Sequence, residues 1–289
     1  AVDGVQISGM TVEGVRDLLP KTESATTTLT LLRNGNQIQV QTASETHLSR
    51  SLGSTNQIAY LNLREYTTVS ADRVRDDYTS LVSAGSGGSG GVILDLRQNG
   101  GGSLSGAWNL TDFLGPSSVD NQIMFSLQQQ SQGFDYRFGV YGSNLGITDP
   151  SKFVILIDSS SASASELTSA ALKDLGIATL MGGQSYGKGV GQNVVGLLDG
   201  SGVYITSFEL LSPLGNSWHN LGVSPDYPLS TALPATPTDD TLLQAAIEFL
   251  ETGSVSQATT SRRTTKSPLL LSVPPYSHHW DGGSRQRLN

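Results

Sequence analysis

The richest chemistry lies where an apolar run, Phe153-Val-Ile-Leu-Ile, meets Asp158 and then Ser159-Ser-Ser161-Ala-Ser163-Ala-Ser165-Glu166. A buried strand that stops at small residues and restarts as a helix makes a sharp turn. Such a turn exposes one side chain and aims backbone N–H groups at the same point, with the partial positive charge of the helix N-terminus behind them. That arrangement suits an acyl-transfer serine. The same residues also read as an ordinary Ser-rich helix cap.

Two further segments carry candidate groups. Gln184-Ser-Tyr-Gly187-Lys188-Gly189-Val-Gly191-Gln192 puts a lysine between two glycines. Minimal side-chain bulk there lets another backbone come close, and burial would depress the lysine toward a neutral base. A solvated surface lysine is the competing reading. It is not a phosphate loop, because the order Gly-x-x-x-x-Gly-Lys-Ser/Thr is absent. In a fully extended chain Lys188 and Gln192 stand about 13 Å apart at 3.3 Å per residue, so they meet only if the backbone bends at Gly189 or Gly191. The third segment, Asp95-Leu-Arg97-Gln-Asn99-Gly100-Gly-Gly102, follows another apolar run. Its glycines permit positive φ and exposed N–H groups, suited to an anion, an oxyanion or a plain turn. With no Cys and no His pair at ligand spacing among His47, His219, His278 and His279, neither a catalytic metal nor a cofactor is expected. If Ser163 is a nucleophile, Lys188 is a better base than any histidine.

These segments need elements to hold them. Strands are expected over 58–63, 91–96, 153–157, 178–181, 191–198 and 203–209, with helices over 70–82 (Ser70 as N-cap), 104–114, 163–175 and 239–251 (Thr238 or Asp239 as cap). Repeated strand-then-helix order argues for a layered α/β domain. Residues 85–91 read as a surface loop. The first 45 residues read as a helix over 11–19 and a hairpin, 26–32 with 38–40, turning at Asn34-Gly35. At 289 residues the chain is long enough for one large core. Only 15% of residues are charged, but 37% are hydrophobic, too many for a disordered chain. No apolar run approaches a membrane span, and no signal peptide is visible. Net charge is −8, which disfavours nucleic acid. Residues 1–253 hold 12 basic and 24 acidic side chains, whereas 254–289 hold 5 and 1. That last stretch, rich in Ser, Thr and Arg, reads as a disordered tail.

Taken together and in this order, Gly91-Val-Ile-Leu-Asp-Leu-Arg-Gln-Asn-Gly-Gly-Gly102, Ser161-Ala-Ser-Ala-Ser-Glu166 and Tyr186-Gly-Lys-Gly189 with Gln192 resemble the carboxyl-terminal processing peptidases, or tail-specific proteases. Ser212-Pro-Leu-Gly215 and Gly222-Val-Ser-Pro-Asp226 look like later loops of that family. The resemblance covers about residues 55–252. It implies a mixed α+β, crotonase/Clp-protease-like core over 46–253. It also implies a serine endopeptidase in which Ser163 is the nucleophile, Lys188 the general base and Gln192 its support. The oxyanion donors would be the N–H groups of Ala164 and Gly101. Ser161 and Ser165 are rival nucleophiles, and spacing to Lys188 favours Ser163. Asp174 falls where the family often has an acid and is assigned to support of the fold. Residues 1–45 resemble the second half of a PDZ domain, the family's reader of substrate tails. The implied partners are proteins with exposed C-terminal tails, and the implied location is extracytoplasmic, in periplasm or cell envelope. The alternatives are a non-catalytic apolar-ligand binder on the same scaffold and an inactive fragment of the peptidase.

Overall fold

The computed structural model describes residues 1–10, 26–33, 36–43, 47–52, 57–83, 88–120, 122–129, 134–139, 149–198, 201–231 and 240–256. The expected helix over 11–19, the Asn34-Gly35 turn and residues 257–289 lie outside them.

The chain divides into two compact units at Leu48/Ser49. In the first, β1 (Thr26–Arg33) and β2 (Asn36–Ala43) pair antiparallel from Thr26↔Ala43 to Arg33↔Asn36. Val2 bridges Leu29, and the Asp3 carboxylate accepts the Thr28 N–H.

The second unit is built on a six-stranded sheet. Its members are β3 (His47–Leu52), β4 (Ile58–Leu63), β5 (Gly91–Asp95), β8 (Phe153–Ile157), β9 (Thr179–Gly182) and β12 (Tyr227–Pro228), in the order β12-β9-β8-β5-β4-β3. The strands from β12 to β4 run parallel, with Leu61↔Leu94 and Leu94↔Ile155 in register. A second sheet is antiparallel, in the order β10-β11-β6-β7: β6 is Ile123–Gln129, β7 Phe134–Gly139, β10 Val190–Gly196 and β11 Gly202–Leu211.

The central strands are apolar apart from Asn62 and Asp95 near their carboxyl ends, because both faces of the sheet are covered. Leu61, Leu63, Val92, Leu94, Ile155 and Ile157 point to one side and pack on α1 (Ser70–Ser83), α2 (Leu104–Leu114) and α3 (Ala164–Asp174). Ile58, Tyr60, Ile93, Val154 and Leu156 point to the other and meet Leu242, Ala246, Phe249 and Leu250 of α4 (Thr241–Thr252). On the α4 side, Arg97 forms a buried clamp, bonding Asp95 and, through both terminal nitrogens, Asp240 at 2.7 and 2.9 Å. Burial works against the Asp240 carboxylate, but hydrogen bonds from Arg97 and the Leu243 N–H, with the guanidinium charge, outweigh it and hold the group below the usual carboxylate range.

The layered α/β core agrees with the expected one, and 58–63, 104–114 and 153–157 coincide with their elements. Three caps differ. α4 is capped by Asp240, which accepts the Leu243 N–H. Ser70 lies inside α1 and bends its hydroxyl back to Thr67 and Glu65. The helix expected from 163 starts at Ala164, with Ser163 at its N-cap. β3, β6, β7 and β12 are additional. Beyond α4, Val255 packs on the α4 side of the core and Ser256 bonds to Glu248.

Candidate active site

The loops after β5 and β8, adjacent strands, are tied together by buried polar groups. Asp158 Oδ1 accepts the N–H groups of Gln98, Ser160 and Ser161 at 2.9–3.1 Å. Ser161 Oγ donates to Leu96 O at 2.8 Å, and Ser165 Oγ donates to Asn99 O at 2.9 Å. Both serines are fully buried. Two of the three candidate hydroxyls are therefore committed to holding the loops.

Ser163 differs in both exposure and backbone. It is half-buried, with φ 56° and ψ −111°. An ordinary N-cap residue sits in the β region, from which its oxygen reaches the N2 or N3 N–H. From a positive φ that reach is strained. Ser163 and Glu166 still stand in a capping-box relation, but the well-formed bond of the pair is the Ser163 N–H to the Glu166 carboxylate rather than one to the serine hydroxyl. The Ser163 side chain lines a cavity of about 270 Å³. A non-glycine residue held this way costs about 1–3 kcal/mol, and its surroundings must enforce it.

Gly101 packs directly behind. A β-carbon there would lie 2.8 Å from Ser163 Cβ and 3.0 Å from Ala164 N, and φ is +100°, so glycine is required. The Ala164 N–H, first in α3, has no acceptor among the described residues and stands on the cavity wall. The Gly101 N–H is engaged by Asn99 Oδ1 at 2.9 Å. Asn99 is itself immobilised: its Nδ2 donates to Leu63 O and its carbonyl accepts from Ala162 N–H. Of the two expected oxyanion donors, one is open and one is occupied in this conformation.

Lys188 reaches the same cavity from the loop between β9 and β10 and is half-buried. Gly189 next to it fits where a β-carbon would come within 2.7 Å of His219 N. Behind the lysine, Asn220 N–H donates to Gly187 O at 2.8 Å, Ser185 N–H donates to Val223 O at 3.2 Å, and Val223 N–H donates to the Ser185 hydroxyl at 2.6 Å. Gln192 also lines the cavity, brought round by a register shift between Gly191 and Gln192 in the β10–β11 pairing. This irregularity falls at Gly191, one of the two glycines at which a bend is expected. Among the described residues no hydrogen bond joins Lys188 Nζ to Ser163 or to Gln192; such contacts often form only once substrate is bound. Leu104, Tyr204, Phe208 and Leu210 complete an apolar side.

Asp174 does not reach this cavity. It lines a separate pocket with Ser212 and Trp218, where its carboxylate accepts the Leu214 N–H. Burial pushes that carboxyl up, against hydrogen bonds from Ser212 and Leu214. Sequence reasoning assigned no role to Glu166. The signal was present: Ser163 and Glu166 have the Ser-x-x-Glu spacing of a capping box. Its carboxylate accepts the Ser163 N–H at 2.8 Å.

Residues 57–229 match the family model of Peptidase family S41. The chain belongs to this family. Among relatives, the chloroplastic C-terminal processing peptidase of Tetradesmus obliquus is 30% identical over 259 residues, covering 82% of this chain and 53% of the relative. The carboxyl-terminal-processing protease of Synechocystis sp. is 29% identical over 275 residues, covering 89% and 61%. The chain thus spans a little over half the length of these relatives. The solved photosystem II D1 C-terminal processing protease is similar with a TM-score of 0.55 at 27% identity, over 87% of this chain and 67% of that one. A putative S41 protease from Bacteroides fragilis shares the fold with a TM-score of 0.62 at 19% identity, over 88% and 72%. The S41 match spans the β5 and β8 loops, the Lys188 loop and the cavity between them. Among the described residues no helix is long and apolar enough to cross a membrane.

Proposed function

We propose that this S41 chain is a serine endopeptidase working through Ser163 and Lys188. The observation that carries the reading is the shared cavity: Ser163 and Lys188 line the same space, while Ser161 and Ser165 are fully buried and bonded to loop carbonyls. Neutral Lys188 takes the Ser163 proton as Oγ attacks the peptide carbonyl, forming the new C–O bond and moving the carbonyl pair onto oxygen. The Ala164 N–H receives that oxyanion at the N-terminus of α3, a contribution typically worth about 2.7–4 kcal/mol per donor. Gly101 serves as second donor by exchanging Asn99 Oδ1 for the oxyanion. The lysine then passes its proton to the leaving amine as the C–N bond breaks, and water, deprotonated by the same lysine, hydrolyses the acyl-enzyme. Gln192 orients Lys188.

The substrates proposed are proteins with exposed C-terminal tails. The names of the relatives support this, as does the resemblance of the first residues to part of a PDZ domain, a fold that binds tails by strand addition. The proposed location is extracytoplasmic.

The test is hydrolysis of casein, an unfolded protein substrate, by the parent, Ser163→Ala and Lys188→Ala between pH 6 and 10. The parent should cleave, and each variant should lose at least about 1,000-fold in kcat at every pH in the range. Cleavage by Ser163→Ala at the parent rate would overturn the assignment. An apolar ligand bound without any hydrolysis would point to the non-catalytic alternative.

A further inference from the structure

We infer that Glu166 is a positioning residue that sets the separation of Ser163 from Lys188; the inference rests on the peptidase reading above. Glu166 is 1% exposed. Its carboxylate takes four hydrogen bonds, two on each oxygen. Oε2 accepts from the N–H groups of Ser163 and Lys188, both at 2.8 Å. Oε1 accepts from the Gly187 N–H and the Ser185 hydroxyl, both at 2.6 Å. A single oxygen atom is thus shared by the backbones of the nucleophile and the base. Those two nitrogens can stand no further apart than two hydrogen-bond lengths. No other side chain among the described residues bonds to both.

The donors explain why this residue is a carboxylate. Four N–H and O–H groups converge on two oxygens, and only the ionised acid offers enough acceptor sites with no proton in the way. A glutamine would keep one oxygen and turn an NH₂ group toward two donors. The start of α3 also favours a negative charge at this place. The clamp is braced from behind, because the Ser185 hydroxyl that donates to Oε1 accepts the Val223 N–H at 2.6 Å. Ser163 is held at its positive φ from one side by Glu166 and from the other by the Gly101 contact. Glu166 touches no reacting atom. It acts through the placement of two residues that do.

The experiment compares the parent, Glu166→Gln and Ser185→Ala in hydrolysis of a short peptide substrate. Rates are divided by the number of Ser163 sites titrated to completion with a fluorophosphonate reagent, and thermal melting is recorded alongside. A positioning role predicts that Glu166→Gln lowers kcat per titrated site by about 10- to 100-fold with KM within about twofold, as misplacement by around an ångström does. Ser185→Ala, which loosens only the Oε1 end, should cost about 3- to 10-fold in kcat, again with KM little changed. A residue that merely holds the fold together would lower Tm and the titratable fraction while each surviving site kept the parent kcat. That outcome overturns the inference. If Glu166→Gln does not fold, parental kcat per site in Ser185→Ala overturns it equally. A parent that cleaves nothing removes the peptidase reading and the inference with it, whereas a cleaving parent with an unaffected Glu166→Gln removes the inference alone.

Discussion

Three serines separated by single alanines have different surroundings, because the run alternates between anchoring a loop and lining the cavity. Ser161 and Ser165 bond to Leu96 O and Asn99 O and see no solvent, whereas Ser163 has its hydroxyl on the cavity wall. Removing either anchoring hydroxyl leaves a buried carbonyl with one bond fewer, at a cost of about 1–3 kcal/mol. Ser161→Ala and Ser165→Ala should therefore lower Tm by several degrees in calorimetry yet retain a reactive Ser163. Ser163→Ala should do the reverse, melting with the parent and cleaving nothing. The motif and its spacing to Lys188 single out Ser163 in the sequence, and the proposed function keeps that choice. The engagement of Gly101 N–H by Asn99 Oδ1 is not, because three glycines in a row show that backbone is exposed but not which neighbour bends back to take it.

At the scale of elements, the central strands and their helices are readable because runs such as Phe-Val-Ile-Leu-Ile are buried on both faces and leave one interpretation. β6 and β7 are harder to see. β6 starts apolar and ends Leu-Gln-Gln on a partly exposed sheet, so neither alternation nor a continuous apolar run marks it. β12 is only two residues long. The cap of α4 is Asp240 rather than the expected Thr238 or Asp239, and the helix starts at Thr241 rather than 239; Asp240 is held by Arg97, 143 residues away, which no local pattern reveals. That clamp has a pH signature. Asp240 titrates lower in the folded chain than in the unfolded one, so its stabilisation is fully present above the unfolded value, about 4, and is lost as pH falls through that value toward the folded one. Asp240→Ala leaves Asp95 as the remaining carboxylate partner of Arg97 and removes the cap, costing about 1–3 kcal/mol at pH 7. Urea titrations at pH 7 and pH 3 should show the gap between parent and variant shrinking at the lower pH.

For the second unit as a whole, the candidate site lies at the carboxyl ends of β5 and β8, where parallel strands commonly deliver their loops to a ligand. Its geometry is therefore inherited from the sheet. Leu94 and Ile155 are fully buried register partners directly below it. Ile155→Ala should cost about 2–5 kcal/mol through the cavity it leaves. Near 25 °C the variant should still cleave, and its activity should disappear at a temperature that tracks its lowered Tm. Loss of cleavage well below that melting would mean that the loops shift before the core gives way.

The backbone of Ser163 also sets two demands on one position against each other. At φ 56° glycine would rest without penalty, whereas a serine there is held in a conformation that L side chains rarely adopt. On the proposed function the side chain is needed for its hydroxyl, so the position that serves the reaction is the one where the fold would do better with no side chain at all.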